Sequence, residues 1–277
     1  MQVLISEFGA ADWLLSEYEA STKLFVEADL ADKHFLSCLS SNDNQIAMLW
    51  ELILGCHFIK LGYNVERTNH GPDFLVEKDG LRVWVECHVP KPSDALNDWV
   101  NDPNGFVPVD QIRLRWTNGF FEKARQFNKF RARGIVRKGD ICTIAINGFL
   151  LGDPFGSGES GFPYAAETVY PFGPIGFRFS RDGKLLGQFR ESTDKLIKEN
   201  LEPINPNFFC VDDYKDVTGL LGSVTLKPSE LFDRMYWVPN RISAKSLAPA
   251  WAGTRLYLES KKFGHEWKHR MSSTDGK

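Results

Sequence analysis

The chain reads as a mixed α/β protein, a mixed sheet flanked by helices. A helix-spaced apolar pattern over 46–61 is followed by three short β-rich runs. A second helix is expected over 110–133, and the continuous apolar run at 141–146 has the pattern of a buried central strand. A hairpin strand that pairs with a strand returning after a crossover helix puts antiparallel and parallel neighbours in one sheet. The 277 residues allow one large domain or two modest ones. With no clean linker, the expectation is one elaborated domain: a helical segment at 1–40, a core at 41–149, and an α/β extension at 150–277 packed on it.

Taken in order, residues 1–40 carry one or two short helices, with Trp13, Leu14, Tyr18, Leu24 and Phe25 available for packing. Ser41-Asn42-Asp43 is an N-cap cluster. Beyond it the residues at 46, 49, 50, 53, 54, 57 and 61 recur with helical spacing, and Gly62 ends the helix. A strand at 63–67 leads into the loop Thr68-Asn69-His70-Gly71-Pro72. Lys78-Asp79-Gly80 between β-rich runs at 74–77 and 81–89 signals a hairpin. In its second strand Val83, Val85, Cys87 and Val89 face one way, and Trp84, Glu86 and His88 the other.

Residues 90–108, rich in Pro, Asn and Asp, read as a loop, and Asn118-Gly119 weakens the following helix near its start. Past Gly148, the Gly- and Pro-rich stretch 152–176 reads as a long loop. A second hairpin is expected at 175–180 and 184–189, turning at Asp182-Gly183. A helix capped by Ser192 follows over 193–201, then a strand at 220–225, a short helix at 229–235 and a fraying polar tail after Gly264.

Composition (43% hydrophobic, 25% charged) excludes disorder, collagen and coiled coil. Five cysteines without a CxxC pair make neither a disulfide framework nor a thiolate zinc site, which points to a reducing cytoplasm. The first fifteen residues lack Lys and Arg, unlike a signal peptide, and no apolar run reaches the ~18 residues that would span a bilayer, so no membrane partner is expected. The net charge of -3 argues against a generic polyanion binder, but it is unevenly spread. Between 111 and 138 stand nine basic residues against Glu122 alone, so that window carries +8 and the remainder -11. Such a one-sign helix suits a phosphate backbone, through Arg113, Arg115, Lys123, Arg125, Lys129, Arg131 and Arg133. The interleaved Trp116, Phe120, Phe121, Phe127 and Phe130 are expected to pack that helix on the sheet.

The chemically informative segment is Glu51, then Gly71-Pro72-Asp73, then Glu86-Cys87-His88. Asp73 opens the first hairpin strand and Glu86 lies in its antiparallel partner, so the two carboxylates can share one hard cation. Glu51, on the preceding helix, can reach the same place if that helix packs on the sheet. Oxygen-only ligation favours Mg2+ or Mn2+ over Zn2+, and such an ion activates water and neutralises a phosphodiester transition state.

This arrangement of Glu51, Gly-Pro-Asp73-Phe, a hairpin and Val-Trp-Val-Glu86-Cys-His88 resembles the core of the PD-(D/E)xK nuclease superfamily over about residues 42–149. The resemblance implies a restriction-endonuclease-like αβββαβ core, metal binding by Asp73 and Glu86, assistance from Glu51, and a nucleic-acid substrate, DNA ahead of RNA. It also implies a bacterial or phage setting in defence or DNA processing, as a homodimer or within a larger complex. The chain departs from the pattern where the superfamily's Lys, two residues after the second acid, is His88. His88 can act as ligand, base or partial cation, and Lys123 on the next helix is the best placed substitute, with Lys91 behind it.

Two alternatives stand beside this reading: a catalytically inactive nucleic-acid-binding module of the same fold, and a protein-interaction surface built from Phe162, Tyr164, Tyr170, Phe172, Phe177 and Phe179. His57 and His70 are expected to be structural, and His265 and His269 solvated. Ser157-Gly158-Glu159-Ser160-Gly161 resembles a nucleophile elbow only superficially, because no buried strand leads through it into a helix.

Overall fold

The structure is a computed structural model of the 277-residue chain. It describes residues 12–39, 44–68, 70–102, 106–193, 195–198, 202–263 and 266–275. The 41–43 cap cluster and His265 lie outside these.

Helices α1 (Asp12–Glu27), α2 (Lys33–Leu39) and α3 (Gln45–Lys60) precede three antiparallel strands, β1 (Asn64–Arg67), β2 (Phe74–Lys78) and β3 (Leu81–His88). A short helix, α4 (Asp94–Asn101), and the long α5 (Val109–Ala132) cross over to β4 (Ile141–Asn147), which lies parallel to β3 with Glu86 opposite Ile144. The order helix, three strands, crossover, strand is the one expected.

The second half is divided between two strand pairs of its own and an extension of the first sheet. After α6 (Tyr164–Val169), β5 (Phe172–Phe179) and β6 (Leu185–Ser192) make a free-standing hairpin, and β7 (Leu196–Ile197) pairs with β8 (Pro203–Ile204). Then β9 (Gly219–Ser223) adds parallel to β4, followed by α7 (Leu231–Arg234), β10 (Met235–Pro239), β11 (Leu256–Phe263) and β12 (Glu266–Ser273). The result is one mixed eight-stranded sheet in the order β1-β2-β3-β4-β9-β10-β11-β12.

Side-chain alternation along β3 divides the two apolar layers. Val83, Val85, Cys87 and Val89 join the core beneath α1–α3, with Trp50, Leu54 and Phe58. Trp84 joins Ile144 and Ile146 beneath α5, whose Trp116, Phe120, Phe127 and Phe130 are buried as the helical spacing requires. The strand and helix that frame the candidate site therefore sit between two packed layers.

Five expectations are corrected. The 90–108 stretch contains α4, whose eight residues are too few to show against Pro-rich flanks. The 152–176 stretch contains α6, a six-residue helix buried throughout and held by packing rather than propensity. No helix occupies the described part of 193–201; β7 does. The tail after Gly264 pairs as β12 along the whole of β11, and its polarity is that of an edge strand that resists further pairing. Asn118-Gly119 does not interrupt α5. Among the described residues no helix is long and apolar enough to cross a membrane.

Candidate active site

The ladder between β2 and β3 begins at Phe74 opposite Val85, so Asp73 stands one step outside it, next to Glu86. The backbone N–H that β3 would offer to a longer β2 is taken instead by the side chain: Cys87 N donates to Asp73 Oδ2 at 2.7 Å. Pro72 precedes it and has no N–H to continue the ladder. The chain thus ends the strand and orients a carboxylate in one move.

Glu86 is 1% exposed in the middle of the sheet. A lone carboxylate there is costly, and Lys123 answers it, donating from Nζ to Glu86 Oε1 at 2.6 Å. Lys123 reaches it because Trp116, Phe120, Lys123 and Phe127 fall on the same face of α5, so the aromatic residues that pack the helix also aim the amine. Glu86 Oε2 is buried with no hydrogen-bond partner among the described residues.

Glu51 is 7% exposed on α3. Arg67, the last residue of β1, donates to its Oε2 at 2.8 Å. Leu30 O accepts from the same guanidinium at 3.3 Å, and the group lies 4.9 Å from the centre of the Phe35 ring. The α1–α2 region therefore fixes Arg67, and Arg67 fixes Glu51.

Electrostatics follow from this crowding. Burial, then the charge of Asp73, raises the Glu51 carboxyl above its ordinary value against the pull of Arg67 and Lys123. Burial also raises Asp73, although Lys123, the Cys87 N–H and Arg67 oppose it. Glu86 is raised by burial and Asp73 in spite of Lys123. Burial pulls Lys123 down, but Glu86 and Asp73 more than compensate and hold it above its ordinary value. Three acids face two cations, so full ionisation would leave a surplus of negative charge, and the raised carboxyls are the response to it.

That surplus, together with the unpartnered Glu86 oxygen, is what a hard divalent cation relieves. Among the described residues no three His, Cys, Asp or Glu side chains form a ready-made cage. Mg2+ does not need one: it is commonly held by one or two carboxylates, with waters and substrate phosphate completing its shell. Asp73 and Glu86 fit that pattern.

His88 is not the missing cation. Its ring lies against Gly119 of α5, where an added Cβ would sit 2.5 Å from His88 Cδ2. Burial, Lys123 and Arg115 push its pKa down to about 4, so the imidazole is neutral at pH 7. An amine does reach Glu86, from Lys123 on the next helix.

The basic helix divides in a way charge counting could not show. Arg113, counted with the phosphate-facing residues, is 5% exposed: Nε lies 3.2 Å from Glu167 Oε2, and an Nη donates to Phe172 O at 2.9 Å. Arg131 turns onto Asp216 O at 2.8 Å. Arg113 is a correction, because buried acceptors claim its guanidinium before a phosphate can, whereas Arg131 is half-buried and its Asp216 contact lies at the surface. Arg115 donates to Lys91 O at 2.7 Å, while Arg125, Lys129 and Arg133 stay exposed.

Of the aromatic surface, Phe162, Tyr164, Tyr170 and Phe172 are core residues, and only Phe177 and Phe179 face solvent. Ser160 is buried, its N–H donating to Glu167. His57 Nε2 lies 2.7 Å from Ala252 O, a structural contact as expected. His269 is not solvated: it packs on Tyr170 and Phe172 beside Arg241.

Compared with protein-family models, with curated proteins and with solved structures, the chain has no match. Function therefore rests on the site. Sequence reasoning found Glu51, Asp73, Glu86 and Lys123, and the fold brings them together. It missed Arg67, whose only trace is a cation closing the strand before the Asp73 loop.

Proposed function

We propose that the chain is a restriction-endonuclease-like, metal-dependent nuclease that hydrolyses phosphodiester bonds in nucleic acid, DNA ahead of RNA. The observation that carries this reading is the convergence of Glu51, Asp73, Glu86 and Lys123 where β2 ends beside β3. The helix–three strands–crossover–strand order of 45–147 supports the architecture. Asp73 and Glu86 would hold Mg2+ or Mn2+, which when bound lowers the pKa of a coordinated water and neutralises phosphate charge. Lys123 holds a proton at Nζ next to Glu86 and positions the attacking water. Glu51, steadied by Arg67, supplies further negative potential at the site. Neutral His88 fixes the end of β3 against α5. Exposed Arg125, Lys129 and Arg133 offer the backbone contacts. The free cysteines fit a cytoplasmic setting.

The inactive-module alternative was motivated by His88. The 2.6 Å Lys123–Glu86 pair removes that motive, since an amine stands at the second acid. Purified protein with Mg2+ or Mn2+ is expected to nick plasmid or degrade single strands. Lys123→Met should lower the rate by about 10²–10⁴-fold, the usual range for a positioned acid–base group. Cleavage that is indifferent to EDTA would sink the reading.

A further inference from the structure

The β5–β6 hairpin is the feature this function leaves unused. It forms a two-stranded sheet of its own, and β6 is exposed over all eight residues. Apolar residues on such a ribbon would normally be covered. Here Phe177 is 56% and Phe179 61% exposed, with Leu185, Leu186 and Ile175 open beside them. Single exposed apolar residues need no explanation, but a contiguous set on a projecting element marks a contact surface.

The charge on the ribbon selects the partner. Over 172–192 it carries Arg178, Arg181, Lys184 and Arg190 against Asp182 and Glu191. Arg178 lies 5.1 Å from the centre of the Phe189 ring, so a guanidinium and an aromatic face are presented together. A second copy meeting this ribbon would oppose like charges. A polyanion that also offers flat apolar faces would not.

Spacing sharpens the choice. The β5–β6 register shifts between Arg178 and Phe179, and Phe177, Arg178 and Phe179 are exposed in succession. Residues two apart on a strand are separated by about 6.6–6.8 Å, close enough for Phe177 and Phe179 to meet neighbouring bases of one strand.

The ribbon is also rooted rigidly. Phe172 stacks on Phe162 with ring centres 4.4 Å apart. Arg113 in the first turns of α5 donates to Phe172 O. Arg190 lies 4.3 Å from the centre of the Phe162 ring. The helix that delivers Lys123 to Glu86 thus also fixes the ribbon's base.

We infer that the β5–β6 ribbon is a stacking arm for unpaired bases of single-stranded nucleic acid, with Phe177 and Phe179 as the platform and Arg178, Arg181 and Lys184 contacting phosphates. The inference builds on the nucleic-acid reading of the carboxylate site, and the test separates the two. Full-length protein in EDTA is titrated into fluorescein-labelled dT20 and into a 20-bp duplex, followed by anisotropy. The arm requires tighter binding to dT20 than to duplex. Phe177→Ala/Phe179→Ala should weaken dT20 binding by about tenfold or more, as loss of base stacking does, and leave duplex binding nearly unchanged. Phe177→Trp/Phe179→Trp should retain it, and Arg178→Gln/Arg181→Gln/Lys184→Gln should flatten its salt dependence.

Equal dT20 affinity for wild type and the Ala pair overturns the arm. So does a wild-type dimer in light scattering that the Ala pair dissociates without loss of dT20 binding, because the ribbon then serves a second copy. The nuclease reading is judged apart, by Mg2+- or Mn2+-dependent cleavage. Cleavage with ribbon-independent binding removes the arm alone. Ribbon-dependent binding without cleavage in either metal removes the nuclease alone.

Discussion

Helix α5 delivers two cations to two buried glutamates, and the pairs differ in what surrounds them. Arg113 meets Glu167 at 3.2 Å, with Phe172 O and Ser160 N–H taking up further hydrogen-bonding capacity. Lys123 meets Glu86 at 2.6 Å, and Asp73 and Glu51 crowd the same space. The first pair is balanced in charge and closes the joint between α5, α6 and the ribbon. The second gathers more carboxyls than its cations neutralise. A buried ion pair alone does not mark a site. Crowded carboxyls held in place by the fold do, because a proton or a cation from outside must relieve them.

This contrast can be broken by experiment. Glu86→Gln and Asp73→Asn should each lower metal-dependent cleavage by at least about 10³-fold, the larger end of single-group losses in catalysis. Each should leave the melting temperature of metal-free protein equal or higher, because a strained charge is removed. A large loss of stability in either would make the acids structural.

Arg113→Met is expected to do the opposite. It should cost about 3–5 kcal/mol in denaturant unfolding, since Glu167 is left buried without its cation. Adding Glu167→Leu should restore much of that, with cleavage by the refolded double variant near wild type.

A smaller effect tests the contact between the site and α5. Gly119→Ala places a Cβ 2.5 Å from His88 Cδ2. Overpacking of about 1–3 kcal/mol should outweigh the ~1 kcal/mol that Ala contributes to a helix. A gain in thermal stability would show that His88 moves freely.

The smallest effect lies beside the first pair, where His269 packs on Phe172. Burial, Arg241 and Arg190 hold the His269 pKa down to about 4. Its neutral form is favoured by folding, so it contributes stability above the ordinary imidazole pKa that is lost as pH falls toward 4. After allowance for its solvent exposure this is on the order of 1 kcal/mol. His269→Gln should flatten the fall in melting temperature between pH 7 and 5.

Much of the core was legible because its signals are local. The alternation that sets Glu86 opposite Val85 and Cys87 belongs to the strand, and the Asp-Gly turn fixes which strand Asp73 faces. Lys123 was legible because helical spacing placed it with Trp116, Phe120 and Phe127. The role of Arg113 was not, since Glu167 lies 54 positions further along the chain and on a helix too short to announce itself. The same holds for β12, whose Lys268 and Arg270 look like a solvated tail until β11 is beside them.

The sequence by itself determined most elements of the core, the carboxylates and the sign of the α5 window, because strand and helix periods are properties of the backbone. Only the tertiary structure decided which cations of that window are spent inside, that Arg67 steadies Glu51, and that the second half extends the same sheet. Those outcomes depend on burial and on partners distant in the chain. A charge becomes structural or available only when its neighbours in space, rather than in sequence, are known.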